Sequence, residues 1–139
     1  PIQIVSTGLK DMLIPIKSEA GLFALAPNFE EVKEVSKQYE VVGMHLYTFS
    51  DDRIICRNFA PLFDINEEAA TGTSNAALAC YLYKNHYLRK ELYVFEQGHS
   101  LHSPSEILVK LDVNGNNEIA RVYVGGNGYY GETKYLSIE

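Results

Sequence analysis

Tryptophan is absent from this chain, and cysteine nearly so: Cys56 and Cys80 are the only thiols in 139 residues. Two cysteines build no disulfide framework, and thiols this sparse are more often small buried hydrophobes than a metal pair. Clustered positive charge is also missing. Twelve Lys and Arg stand against eighteen Asp and Glu, a net charge of -6, which argues against nucleic acid or an anionic membrane as partner. No run approaches the roughly 18 apolar residues of a membrane-crossing helix, and the first residues do not read as a secretory leader. The expected setting is the cytoplasm.

What is present is an ordinary globular balance, 46% hydrophobic, in a length that suits one core burying roughly two thirds of its unfolded surface. One domain over residues 1–139 is expected. Gln3 to Ser6 already reads as a strand, as though the chain opened at an interdomain boundary.

The most informative stretch is Arg57 to Leu82, RNFAPLFDINEEAATGTSNAALACYL. A strand passes through two adjacent carboxylates, Glu67 and Glu68, into a turn holding Thr71, Gly72, Thr73, Ser74 and Asn75. An uninterrupted run of good helix formers, Ala76 to Leu82, follows. Thr71, Thr73 or Ser74 is placed to cap that helix, and Gly72 lets the backbone turn or approach a ligand closely. The free N–H groups of the first helical turn would face an anion such as a substrate carboxylate. A side-chain carboxylate just ahead of such a turn suits acid/base work when burial or like charge moves its proton affinity toward neutrality. The plain alternative is that these residues only cap the helix and complement its dipole, worth roughly 0.3–1 kcal/mol per charge.

Periodicity supplies the remaining elements. Asn28 caps an amphipathic surface helix over Phe29 to Tyr39. Val41 to Phe49 and Arg53 to Phe59 pair as a hairpin around Ser50, Asp51 and Asp52, and Ile107 to Val113 pairs with Ile119 to Val124. Gly125, Gly126 and Gly128 fall between the strand-like runs Arg121 to Val124 and Tyr129 to Tyr130. With no helix behind them they read as a bulge or a close backbone approach rather than a phosphate loop. Several antiparallel strands, one helix apolar on all sides and one amphipathic helix predict an α+β domain. His99 and His102 are separated by two residues, but no third ligand lies near, and exposed loop histidines are expected; no metal and no cofactor are predicted.

Arg57, Phe59, Ala60, Pro61, Ile65, Glu67, Ala70, Thr71 and Gly72 resemble the R-x-F-A-P and G-I-x-E-D-P-A-T-G-S-A signature of the PhzF-like (phenazine biosynthesis) proteins, relatives of diaminopimelate epimerase. Further resemblances follow in order: Ser6, Thr7 and Gly8 with the strand Leu13 to Ile16; Glu96, Gln97, Gly98, Pro104 and Ser105; and Val124, Gly125 and Gly126. Glu68 stands where the family usually has Asp, Ala69 where it has Pro, Thr73 where it has Ser, Asp64 where it has Gly, and Ser103 where it has Arg.

The resemblance implies an antiparallel, barrel-like β roll wrapped around a central helix, here matching the C-terminal half of a two-domain protein, with the catalytic carboxylate of the other domain not matched. It implies a cofactor-independent isomerase or epimerase that moves a proton on a small carboxylic acid. Glu68 and Thr73 are the expected catalytic residues, and Thr71, Gly72, Ser74, Gln97, Gly98, Gly125 and Gly126 the expected substrate contacts. The implied partners are an N-terminal domain, from this or a second chain, and possibly a second copy in a homodimer. The alternative is a non-catalytic domain that keeps the fold and binds a metabolite or a protein.

Overall fold

The computed structural model describes residues 1–137, so the last two residues of the expected domain lie outside the described residues. Eight strands form one mixed sheet in the order β1-β2-β3-β4-β6-β7-β8, with β5 pairing on β4. The strands are β1 (Gln3–Ser6), β2 (Lys10–Pro15), β3 (Gly43–Ser50), β4 (Arg53–Ala60), β5 (Ile65–Glu68), β6 (Leu92–Gln97), β7 (Ser105–Val113) and β8 (Ile119–Gly125). The helices are α1 (Glu19–Ala24), α2 (Phe29–Gln38) and α3 (Gly72–Lys84).

The all-antiparallel expectation needs correction, because β2 pairs with β3, and β4 with β6, in parallel. Parallel neighbours require a crossover long enough to return the chain to the same end of the sheet. α1 and α2 form the first crossover; β5 and α3 form the second. The result is a curled, open sheet, a half-barrel whose end strands are β1 and β8. The two expected hairpins are present as β3–β4 and β7–β8. Tyr129 and Tyr130 form no strand and are exposed, because nothing among the described residues pairs with them.

The sheet separates two cores. On one face α3 packs among Leu13, Tyr47, Cys56, Tyr93, Phe95, Val109 and Leu111. Every residue from Ser74 to Tyr83 is buried, as a helix apolar on all sides requires. On the other face α1 and α2 set Leu22 and Val32 against Leu46, Ile55 and Phe59. Asn28 caps α2, its Oδ1 accepting from the Glu31 N–H at 3.5 Å. Asn28→Ala should therefore cost about 1 kcal/mol in chemical denaturation.

Arg57 ties the second layer down. Its guanidinium makes a bidentate pair with Glu67 at 2.9 Å, donates to the Leu22 and Leu25 carbonyls, and lies over the Phe59 ring. Glu67, the first of the two adjacent carboxylates, is thereby committed to structure. Strand alternation turns Glu68 the other way.

Candidate active site

The inner face of the sheet is apolar over most of its area and turns polar where α3 begins. Asp11 on β2, His45 on β3, Asn58 on β4 and Gln97 on β6 stand in a row across four neighbouring strands. His45 faces Asn58 in register, and Gln97 faces Cys56, one inward position further along β4. All four side chains are at most 2% exposed. Buried polar groups persist when they are hydrogen-bonded, and the start of α3 supplies the partners.

One continuous chain of hydrogen bonds results. Asn58 Nδ2 donates to His45 Nδ1 at 3.2 Å and to Ser74 Oγ at 3.1 Å. With Nδ1 accepting, the His45 proton sits on Nε2, which donates to Asn75 Oδ1 at 3.2 Å. Asn75 Nδ2 in turn donates to Gln97 Oε1 at 2.9 Å and to the Thr71 carbonyl at 2.8 Å. Gln97 Nε2 reaches the Glu68 carbonyl at 2.7 Å and Thr71 Oγ1 at 2.9 Å. The Thr71 hydroxyl then donates to Glu68 Oε2 at 2.8 Å. On the other branch Ser74 Oγ donates to Asp11 Oδ2 at 2.7 Å. Donors thus run outward from Asn58, and both branches end on a carboxylate.

His45 is held neutral. Burial lowers its pKa from 6.5 to about 4, only partly opposed by the bond to Asn75. Burial raises Asp11, with the Ser74 hydroxyl acting against it and the charge of Glu68 adding to it. Both thiols are pushed up by burial and belong to the core.

Thr71 is the N-cap of α3 but makes no capping bond, since its hydroxyl is turned to Glu68. The N–H groups of the first turn have no intrahelical acceptor. They open, with the exposed Thr73 side chain, onto a cavity of about 480 Å³ lined by Asp11, Asn58, Glu68, Thr71, Gly72, Thr73 and Ser74 and rimmed by Leu9, Phe63 and Ile65. Thr71→Val leaves Gln97 Nε2 short of one acceptor and should cost about 1 kcal/mol in chemical denaturation.

The expected site residues fall into three places. Glu68, Thr71, Gly72, Thr73 and Ser74 share this cavity. Gly125 and Gly126 line an adjoining space of about 600 Å³ that meets the first at Ala70 and Gly72. Gln97 and Gly98 line neither. Gln97 is fully buried behind the turn, with four hydrogen bonds holding it. Gly98 adopts φ 90, and a Cβ there would lie 2.2 Å from the Ser103 carbonyl and 2.8 Å from that of Ala69. Their part is to fix the turn.

Asp11, His45, Asn58 and Asn75 join the site beyond the sequence expectation. The only signal in the chain was the presence of polar residues within otherwise apolar strands and at the start of α3, with no pattern to say which face they take. His99 pairs with Glu96 at 2.9 Å, away from the cavity. Among the described residues no three His, Cys, Asp or Glu side chains gather as metal ligands, and no helix is long and apolar enough to cross a membrane.

Comparison with known proteins gives a consistent result. The sequence pattern of phenazine biosynthesis-like proteins, PhzC-PhzF, matches residues 1–133. An uncharacterized isomerase of Deinococcus radiodurans is 32% identical over 91% of this chain and 42% of its own length. A trans-2,3-dihydro-3-hydroxyanthranilate isomerase of Pseudomonas chlororaphis is 25% identical over 92% of this chain and 45% of its own. The crystal structure of a PhzF-family phenazine biosynthesis protein of Bacillus anthracis superposes with a TM-score of 0.69 at 20% identity, covering 88% of this chain and 44% of that one. That likeness is one of fold. The chain spans less than half the length of the curated relatives named here.

Proposed function

Because this chain belongs to the PhzC-PhzF family of phenazine biosynthesis-like proteins, we propose that it is the C-terminal part of a cofactor-independent isomerase that moves a proton on a small carboxylic acid. The observation that carries the reading is the Thr71–Glu68 hydrogen bond beside an uncapped helix start. Glu68 takes or gives the proton. The first-turn N–H groups of α3 and the Thr73 hydroxyl hold the substrate carboxylate, where a helix N-terminus favours negative charge. Gly125 and Gly126 bound the space into which the rest of the substrate extends.

The exposed rim of Leu9, Phe63 and Ile65 supports a covering wall, since apolar groups around a reactive carboxylate gain by excluding water. In this reading an N-terminal domain of the same or a second chain provides that wall, the working form is cytoplasmic, and a homodimer is compatible with it. The test is conversion, without added cofactor, of a panel of small carboxylic acids beginning with trans-2,3-dihydro-3-hydroxyanthranilate. Formation of an isomer of unchanged mass supports the reading. Tight binding with no conversion of any acid would overturn it in favour of a non-catalytic binding domain.

A further inference from the structure

Two side-chain oxygens at the cavity have no partner. The orientation of Asn58 fixes the first and follows from Asn75. Asn75 Nδ2 donates to the Thr71 carbonyl, which can only accept, so Asn75 Oδ1 meets His45 Nε2 and that nitrogen carries the ring proton. Neutral His45 then accepts at Nδ1, which makes Asn58 Nδ2 the donor to it and to Ser74 Oγ. Asn58 Oδ1 is left with no hydrogen bond among the described residues. Asp11 stands alike: Ser74 Oγ donates to its Oδ2, and its Oδ1 has no partner among the described residues. Both residues are at most 2% exposed, and both line the cavity. Among the described residues only Ser36 Oγ is at once fully enclosed and unpaired. The free oxygens of Asp11 and Asn58 therefore reach open space, and the cavity is the space their residues line. One hydroxyl, Ser74 Oγ, bridges the two side chains, which sets both on one wall beside the first turn of α3.

Two acceptors without a donor are half of a hydrogen-bonding site. The other half belongs to a ligand that brings N–H or O–H groups, and charge decides between them. Asp11 and Glu68 both line the cavity, and no Lys or Arg does. Arg57, one residue from Asn58, is turned to the opposite face and held by Glu67. Lys10 is exposed and precedes Asp11 on the strand, so alternation points it away. A cationic donor is attracted here as a hydroxyl is not, and a hydrogen bond between ionised groups is the stronger kind. Burial, and after it the charge of Glu68, raises Asp11 against the Ser74 hydroxyl, as befits a carboxylate with no cation beside it.

We propose that Asp11 Oδ1 and Asn58 Oδ1 form an ammonium subsite, by which this wall selects acids that carry an amino group close to the carboxylate. The proposal rests on the reading above in which the first turn of α3 holds the substrate carboxylate. Ser74 belongs to that same turn, so carboxylate and ammonium are held side by side, which suits an amino group on the first or second carbon from the carboxylate. The subsite binds and orients; it takes no part in the proton transfer. Neither residue lies in the motifs that mark the family. Asn58 fills the open position of R-x-F-A-P, and Asp11 falls between Gly8 and the strand Leu13 to Ile16, so the selection belongs to this chain.

Titration calorimetry on the intact protein at neutral pH tests it with three acids of one shape: 2-aminocyclohexanecarboxylate, 2-hydroxycyclohexanecarboxylate and cyclohexanecarboxylate. The amino acid should bind at least about tenfold more tightly than the other two. Asp11→Asn keeps an oxygen for Ser74 but removes the charge. In that variant, with circular dichroism matching the wild type, the preference should be lost while cyclohexanecarboxylate binds as before. Equal affinity of the wild type for the three acids, binding of none, or a preference for the hydroxy acid would overturn the proposal, as would a preference that survives in Asp11→Asn. Conversion separates the subsite from the reading beneath it. Binding with the expected preference but conversion of no panel acid would strike the isomerase and leave the subsite. Isomerisation of acids without an amino group as readily as of amino acids would strike the subsite and leave the isomerase.

Discussion

Glu68→Gln is expected to lower isomerisation by a factor of about 10² to 10⁴, the usual contribution of a positioned acid or base. The substitution keeps the shape of the side chain and an acceptor for the Thr71 hydroxyl, so binding should persist and the loss should appear in kcat. The Gln97 bonds to the backbone of the turn do not involve the Glu68 side chain, which is why the variant is expected to fold. Glu68→Asp is the informative companion. It restores the residue that the family usually carries, one methylene shorter, and partial activity there with none in Glu68→Gln would separate a need for the carboxylate from a need for reach. Full activity in Glu68→Gln would remove Glu68 from the chemistry.

The second large effect is on stability. His45 is fully buried and its pKa is lowered from 6.5 to about 4. Between those values the unfolded chain takes up a proton that the folded chain does not. Stability from this group is therefore complete above pH 6.5 and is lost as the pH falls toward 4. At 1.36 kcal/mol per unit the loss comes to about 3 kcal/mol. Protonating Nδ1 would also set two donors against each other, because Asn58 Nδ2 already donates there. Asp11 acts in the opposite sense, since its raised pKa means that stability is gained as the pH falls through that value. The His45 effect is isolated by difference: denaturation of wild type and His45→Gln from pH 7 to 4 should show the wild type losing about 3 kcal/mol more than the variant. Parallel curves would mean that His45 is not held neutral by the fold.

The turn around Glu68 was legible because its chemistry is local. Carboxylate, Gly, small polar caps and a run of helix formers are adjacent in the chain, and so are the two halves of each hairpin. The parallel pairings of β2 with β3 and of β4 with β6 were not legible, because they depend on where two crossovers return and no short-range pattern encodes that. The polar row was hidden for a related reason. Helices cover both faces of β4, and its residues from Ile54 to Ala60 are all buried, so alternation between polar and apolar positions, the usual guide to the inward face, is erased. Asn58 and Arg57 then look alike in the sequence, although one builds the site and the other anchors the opposite layer. Glu67 and Glu68 show the same division. They are neighbours of identical chemistry, and only the register of β5 on β4 assigns one to an ion pair and the other to the cavity.

The same geometry accounts for Gln97 and Gly98. Gln97, an amide with every donor and acceptor engaged, lies behind the turn that carries Glu68 and holds it in place. Preorganisation of this kind lets a short strand hold the Glu68 carboxylate at the cavity without an ion pair of its own.

The most direct measurement of the central claim is mass spectrometry of substrate recovered from the intact protein in deuterium oxide. Proton transfer at carbon predicts that the recovered acid and its isomer gain deuterium at a position that does not exchange in buffer, and that Glu68→Gln abolishes the gain. An acid that binds and returns unlabelled, or a label that enters equally with Glu68→Gln, would contradict the account.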